Sequence, residues 1–254
     1  MKNKVKISGL LITYNEEEFI DDFIIALDFV DELIIIDSYS TDSTVEKIKK
    51  YPHVRLIQRP FKNFTDQKSF ALKQATHNWV LFLDADERIP EALKNEILST
   101  INSEESTASA YFFYRTFMFK NKVLHFSGWQ TDKNYRLFKK DKVAFTQDRI
   151  VHETLVVDGV SATLQNKLIH YSYKTYEDYK GKMIRYGELK AQEEYQKGKR
   201  WSLAQQLLRP AWKFMNHYLL RCGILDGSKG LIICYLNALG VYARYKKLKQ
   251  LDSL

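Results

Sequence analysis

The stretch "NWVLFLDADERIPEAL", residues 78–93, decides the reading of this chain. An apolar run from Trp79 to Leu83 stops abruptly at Asp84-Ala85-Asp86-Glu87-Arg88. A short continuous apolar run of this kind fits a strand buried on both faces. Carboxylates packed so densely repel one another and are costly to remove from water. A divalent cation bound to phosphate would hold them at the end of such a strand. A solvated acidic strand-to-helix turn is the plainer alternative.

The same alternation extends outward from this stretch. "VKISGLLITY", "ELIIID" and "VRLIQ" read as strands; "EEEFIDDFIIALDFV", "DQKSFALKQAT" and "PEALKNEILSTI" read as helices, the last opened by Pro90. "STVEKIKKY" starts with a capping box, Ser43 with Glu46 three positions on. Strands alternating with helices over residues 5–101 predict an α/β fold with a mostly parallel central sheet and right-handed crossovers. Such sheets bind ligands beyond the carboxyl ends of their strands. There the sequence places Thr13-Tyr14-Asn15-Glu16, then Asp37 through Asp42, then Asp84 and Asp86. Taken singly, Asn15, Asp42 and Ser43 read as helix caps. Capping does not account for Asp37, Asp84 or Asp86, which follow apolar runs.

Composition bounds the class. The 254 residues are 45% hydrophobic and 28% charged, which excludes a disordered chain. The cysteines, Cys222 and Cys234, form no CxxC pair, so neither a zinc ribbon nor a disulfide framework is expected, and a reducing compartment fits. The opening residues read as a first strand rather than a signal peptide. The formal net charge of +8 is compatible with nucleic acid, anionic lipid or a phosphorylated substrate. The excess is concentrated beyond residue 180, where basic and aromatic residues intermingle.

"LLITYNEEEFI", "VDELIIIDSYSTDST", "FTDQKSFALKQAT" and "WVLFLDADERI" resemble, in order and spacing, the signatures of inverting family 2 glycosyltransferases with the GT-A fold. The resemblance covers roughly residues 5–175. "DADE" with the later "GW…D…RLF…HE" series is most like the lipopolysaccharide-core beta-glucosyltransferase type. It implies a GT-A, Rossmann-like catalytic domain over residues 1–175, with a helical C-terminal region over 176–254. It implies that Thr13, Tyr14, Glu16 and Asp37 hold the nucleotide base, usually uracil. Lys68 stands where the family has arginine and would contact base or diphosphate as a point charge. Ser38 replaces the second acid of the family's "DDGSTD". By the same resemblance Asp84 meets the ribose or the metal's water shell. Asp86 coordinates Mg²⁺ or Mn²⁺ bridging the phosphates, oxygen ligands suiting both ions. His170, in "LIHYSY", stands near where many GT-A enzymes supply a further metal ligand. Glu153 is the expected general base, Asp132 its rival; Arg136 is a diphosphate or acceptor contact, and Trp129 stacks on an acceptor sugar.

The implied reaction moves a sugar from a UDP-sugar to a saccharide or lipid-linked saccharide acceptor in envelope polysaccharide biosynthesis. The implied location is cytoplasmic, peripheral on the inner face of the plasma membrane, with no nucleic-acid partner. The tail is read as helices meeting a membrane surface, with packing on the catalytic domain as the plainer alternative, the two being compatible on different faces. Trp201, Leu208, Trp212, Leu219, Ile232, Ile233 and Leu236 would enter lipid, and Arg244, Lys246, Lys247 and Lys249 would meet head groups. Pro210 would break or kink its helix. Other classes fit less well. A phosphatase with DxD normally carries it on the first strand, and a nucleotidyltransferase would show an early glycine-rich loop. A non-catalytic membrane-binding protein leaves Asp37, Asp84, Asp86 and Glu153 without a purpose.

Overall fold

The computed structural model describes residues 4–103, 107–119, 122–128, 132–146, 154–173 and 175–253. The chain divides into two compact units. One comprises Met1–Arg115 and Lys133–His170, the other Thr116–Asp132 and Tyr171–Leu254.

The first unit begins with β1 (Ile7–Thr13), α1 (Ile20–Ala26), β2 (Glu32–Asp37), α2 (Thr44–Ile48), β3 (Val54–Gln58), α3 (Phe64–Gln74) and β4 (Trp79–Phe82). The short β5 (Glu87–Arg88) and α4 (Glu91–Asn102) follow. Strands β3, β2, β1 and β4 lie side by side and parallel. Side chains alternate across this sheet with period two. Leu11, Leu33, Ile35 and Leu81 pack on one face with Phe23 of α1 and Leu93 and Ile97 of α4. Leu10, Ile34, Ile36, Val80 and Phe82 pack on the other with Ala71 and Leu72 of α3. Burial of both faces is why these strands read as unbroken apolar runs, and the expected α/β architecture holds.

Antiparallel strands extend the sheet. They start with β6 (Ala110–Phe119) and, beyond β7 (Lys122–Leu124), β8 (Lys133–Lys139); β8 pairs with both β4 and β6. β9 (Val143–Thr146) and β10 (Thr154–Val157) form a separate hairpin. β11 (Ser161–Thr163) runs beside β6, and β12 (Leu168–Tyr173) pairs with β5.

Three local expectations are corrected. Helix α1 is shorter than its apolar periodicity suggests, because residues 16–18 bind the neighbouring loop instead. Glu17 takes the Ser43 N–H on its carboxylate at 3.0 Å and gives its own N–H to Asp42 at 3.2 Å. The Ser43–Glu46 capping box is not formed, since Ser43 makes no side-chain cap bond and Asp42 accepts from the Thr44 N–H at 3.0 Å. Helix α3 starts earlier than expected, capped by Asn63, which accepts the Asp66 N–H at 2.8 Å.

The second unit is built on α5 (Tyr176–Gln196), α6 (Leu203–Met215) and α7 (Gly227–Asp252). Helices α5 and α7 approach closely where Gly187 meets Gly240; a Cβ on Gly187 would lie 2.2 Å from the Gly240 carbonyl oxygen. The Tyr179 hydroxyl donates to Asn237 at 2.7 Å inside this contact. Phe117, Phe119 and Leu124 join the helices, packing on Tyr179, Ile233 and Leu236. The Asp226 carboxylate also accepts the N–H groups of His125 and Phe126 at 2.9 and 3.0 Å.

This packing corrects the reading of the tail. Ile233 and Leu236 are fully buried, Ile232 packs beside them, and Trp201 lies against Tyr245 and Leu248, so none of these four is free for lipid. Arg244 pairs with Glu194 at 3.3 Å rather than standing free for head groups. The stretch Gly223–Asp252 is long and apolar enough to cross a bilayer by length and composition alone. Part of its apolar surface is occupied by protein, since Ile233 and Leu236 are buried, whereas Leu231, Tyr235 and Tyr242 are exposed. Nor does Pro210 break its helix, since α6 continues through it to Met215.

Candidate active site

The parallel register brings Thr13 level with Asp37, and Asp37 level with Gln58, at the carboxyl edge of the sheet. Leu83 hydrogen-bonds Leu10, which carries Asp84 to the same edge. The first two loops are fastened together there. Asn15 takes a left-handed backbone (φ 55°), gives its N–H to Ser40 Oγ at 2.9 Å and accepts the Thr41 N–H at 2.8 Å. Glu16 gives its N–H to Thr44 Oγ1 at 2.8 Å.

Residues proposed for the base fall in distinct environments. Tyr14 is exposed and Glu16 half-buried. Asp37 is fully buried, and its carboxylate accepts from the Ser40 N–H and from Gln58 Nε2, each at 3.0 Å, and from the Ser40 hydroxyl. Two buried polar atoms at this edge are unsatisfied among the described residues: Thr13 Oγ1 and Gln67 Oε1. Gln67 is fully buried on α3, and its Nε2 donates to Ser38 Oγ at 3.0 Å. Buried polar groups are nearly always paired, by protein, water or a ligand, and these two lie at the loop-built edge.

The acidic turn resolves into two parts. Asp84 and Glu87 are tied to each other by Asp84 N–H to Glu87 Oε2 at 3.1 Å and Glu87 N–H to the Asp84 carbonyl at 3.0 Å. Arg136, buried on β8, bonds both carboxylates, reaching Glu87 Oε1 at 2.6 Å. Arg115 stands 3.8 Å from the same oxygen. Burial pushes the Glu87 carboxyl up. Burial also opposes charge on Asp84, but Arg136, aided by Lys68 and His170, outweighs it and holds that carboxyl well below the usual range. Arg136 is thus committed to the turn, not turned outward toward a phosphate. Lys68, 5.8 Å over the Phe82 ring, lies close enough to act on Asp84.

Asp86 differs. Its side chain is 27% exposed, against 0% for Glu87 and 40% for Asp84, and what sets it apart from both is a histidine rather than an arginine partner. His170 sits opposite Glu87 in the β5–β12 pairing, and its Nε2 lies 3.1 Å from Asp86 Oδ2. Arg88 steadies the backbone beneath, donating to the carbonyls of Ala85 at 2.6 Å and Phe19 at 2.9 Å. One carboxylate oxygen and one imidazole nitrogen suit a divalent cation whose other ligands are phosphate and water oxygens. Among the described residues no group of three or more His, Cys, Asp or Glu forms a closed metal cage.

Asp132 is half-buried and directly precedes β8. Glu153 and Trp129 lie outside the described residues. Glu87, Arg115 and Gln67 escaped the sequence reading. Glu87 looked like one more member of an acid cluster, and only the burial that separates it from Asp86 shows its different task. Gln67 gave no signal beyond its place beside Lys68.

The glycosyl transferase family 2 model matches residues 8–157. The lipopolysaccharide core biosynthesis glycosyltransferase LpsC of Rhizobium meliloti is 26% identical over 254 residues, spanning 95% of this chain and 94% of that protein. An uncharacterized glycosyltransferase of Rickettsia typhi is 28% identical, spanning 97% of this chain and 88% of that protein. Among solved structures, S. aureus TarS 1-349 in complex with UDP aligns over 97% of this chain and 90% of its own, with 17% identity and a TM-score of 0.48. The family match takes in all four parallel strands, the acidic turn and the strand whose arginine closes it: the chain belongs to glycosyl transferase family 2 and is a glycosyltransferase.

Proposed function

We propose that this enzyme transfers a hexose, with inversion, from UDP-hexose to a saccharide or lipid-linked saccharide acceptor in lipopolysaccharide biosynthesis. It works at the cytoplasmic face of the plasma membrane with Mg²⁺ or Mn²⁺. The observation that carries the reading is the Asp86–His170 pair, in an acidic turn whose other carboxylates are already bound by Arg136. The acceptor class draws on the named role of LpsC, which aligns along nearly the whole of both chains.

Asp86 and His170 would hold the cation, which when bound supplies positive charge to the departing diphosphate. The protein's own groups do the rest. Thr13 and Gln67 offer the nucleoside two unsatisfied polar atoms. Lys68 adds a point charge on the phosphate side, and Arg136 keeps Asp84 ionised and in place. An acceptor hydroxyl oxygen attacks the anomeric carbon, the bond from that carbon to the diphosphate oxygen breaks, and UDP leaves with the electron pair. A base takes the hydroxyl proton. Glu153 is assigned that task on its place in the family pattern, with Asp132 as its rival.

Incubating the protein with UDP-hexoses and lipopolysaccharide acceptors tests the reading. A β-linked product from an α-linked donor, abolished in Asp86→Asn, supports it; an α-linked product or full turnover in that variant refutes it. Glu153→Gln should slow the chemical step by about two to four orders of magnitude with donor affinity little changed. A larger loss in Asp132→Asn moves the base to Asp132.

A further inference from the structure

Helix α6 is built the wrong way round for a helix surrounded by water. A surface helix normally turns its apolar stripe inward and its polar face outward. In α6 and the turn after it, Leu203, Leu207, Leu208, Trp212, Met215 and Leu219 recur every three or four positions on the outside. Leu208 is 68% and Trp212 60% exposed, and α6 buries none of its residues. Its covered side is polar. Gln206 accepts from Trp201 Nε1 at 2.6 Å, and Gln205 Oε1 is shut away from solvent without a partner among the described residues. Burial pushes the Lys213 ammonium down. Six exposed apolar side chains on one face of one helix form a continuous patch of the kind that marks an interaction surface.

Charge identifies the occupant. From Tyr195 to Leu225 the chain contains Lys197, Lys199, Arg200, Arg209, Lys213 and Arg221 and no acidic residue. Lys197, Lys199 and Arg200 are paired with Glu193, Glu194 and Asp252; Arg209 is exposed on α6, and Arg221, exposed just past its end, also donates to the Gly128 carbonyl at 3.2 Å. An apolar face in a segment free of acidic residues, with a tryptophan at its middle and exposed arginines at its flank, matches the boundary between anionic head groups and acyl chains.

We propose that α6 is an in-plane anchor that seats the protein on an anionic bilayer, with its apolar face in the acyl boundary and Arg209 and Arg221 at the head groups. Helix α7, which buries Ile233, Leu236 and Leu248 against protein, takes no part. The proposal sharpens the membrane-surface reading to one helix and uses no residue of the acidic turn, so it stands or falls apart from the transfer chemistry.

Co-sedimentation of the intact protein with vesicles tests it. Vesicles of phosphatidylcholine mixed with phosphatidylglycerol should retain the protein, vesicles of phosphatidylcholine alone should retain less, and high salt should weaken but not abolish retention. The triple variant Leu207→Gln, Leu208→Gln, Trp212→Gln should bind anionic vesicles about a hundredfold more weakly, since each lost apolar side chain gives up part of its transfer free energy. Its melting temperature should hold, because none of the three is buried. Lys246→Gln with Lys249→Gln on α7 should leave vesicle binding unchanged. Three results would overturn the proposal: no retention at any lipid composition, equal retention of the triple variant, or a wild-type dimer that ignores vesicles and becomes monomeric in the triple variant. The last would make a second copy of the chain the occupant.

Discussion

The acidic turn of the first unit and helix α6 of the second both defy the ordinary sorting of residues, in opposite senses. At the turn, carboxylates occupy the end of a buried strand; on α6, leucines and a tryptophan occupy the water side. They differ in what answers the anomaly. Glu87 and Asp84 are closed by Arg136 within the same unit, whereas no described residue of the second unit covers the outer face of α6. Within the turn itself the distinction is one of partner rather than exposure: Asp84, 40% exposed, is bound by Arg136, whereas Asp86, 27% exposed, faces His170. On the proposed reading, closed anomalies serve stability and open ones serve a ligand. Breaking a closed group should therefore cost folding free energy, and breaking an open one should cost binding while leaving the fold intact.

The largest effect on stability is expected where closure is most complete. Arg136→Met leaves Glu87 buried with its main partner gone, which should lower stability by about 3–5 kcal/mol. Denaturant unfolding measures this, and a loss below about 1 kcal/mol would mean that Arg136 does not close the turn. A smaller effect tests a closed polar group in the second unit. His217 donates from Nδ1 to the Ser127 carbonyl at 2.9 Å, and burial, with Lys213 nearby, holds its pKa at about 4 rather than 6.5. Between those values the unfolded chain takes up a proton that the folded chain refuses, so stability falls as pH falls through that window. The loss should reach about 3 kcal/mol by the lower end. His217→Gln should flatten that slope, and a variant with the wild-type slope would place the titration elsewhere. Smallest is an open group: Gln67→Met should weaken UDP binding by about fivefold, near 1 kcal/mol. Its unfolding midpoint should scarcely move. A large loss of stability with unchanged UDP affinity would make Gln67 a core residue only.

The parallel half of the fold was legible because burial on both faces writes unbroken apolar runs such as "ELIIID" and "WVLFL". The pairing of Asp86 with His170, far apart in sequence, was legible only through the family pattern; the β5–β12 register that produces it leaves no periodic signal. Arg136 was legible as a site residue but not for its task, since sequence does not show whether a cation meets a ligand or another side chain. The tail misled because α7 and α6 are both apolar and basic in sequence. Only packing shows that Ile233 and Leu236 face α5 and its neighbours while Leu208 and Trp212 face outward. The Ser43 capping box failed because Asp42, one residue earlier, accepts the N–H groups of Thr44 and Glu17.

Thermal unfolding of the intact protein with UDP, with and without Mn²⁺, compared between wild type and Asp86→Asn, tests the central claim that the open half of the turn holds a cation for the donor diphosphate. UDP at about 100 times its dissociation constant should stabilise the wild type by about 2.7 kcal/mol in the presence of Mn²⁺. Without the metal the stabilisation should be much smaller, and Asp86→Asn, folding normally, should show no increment on adding Mn²⁺. Equal stabilisation by UDP with and without Mn²⁺ in the wild type, or an undiminished Mn²⁺ increment in Asp86→Asn, would contradict the account.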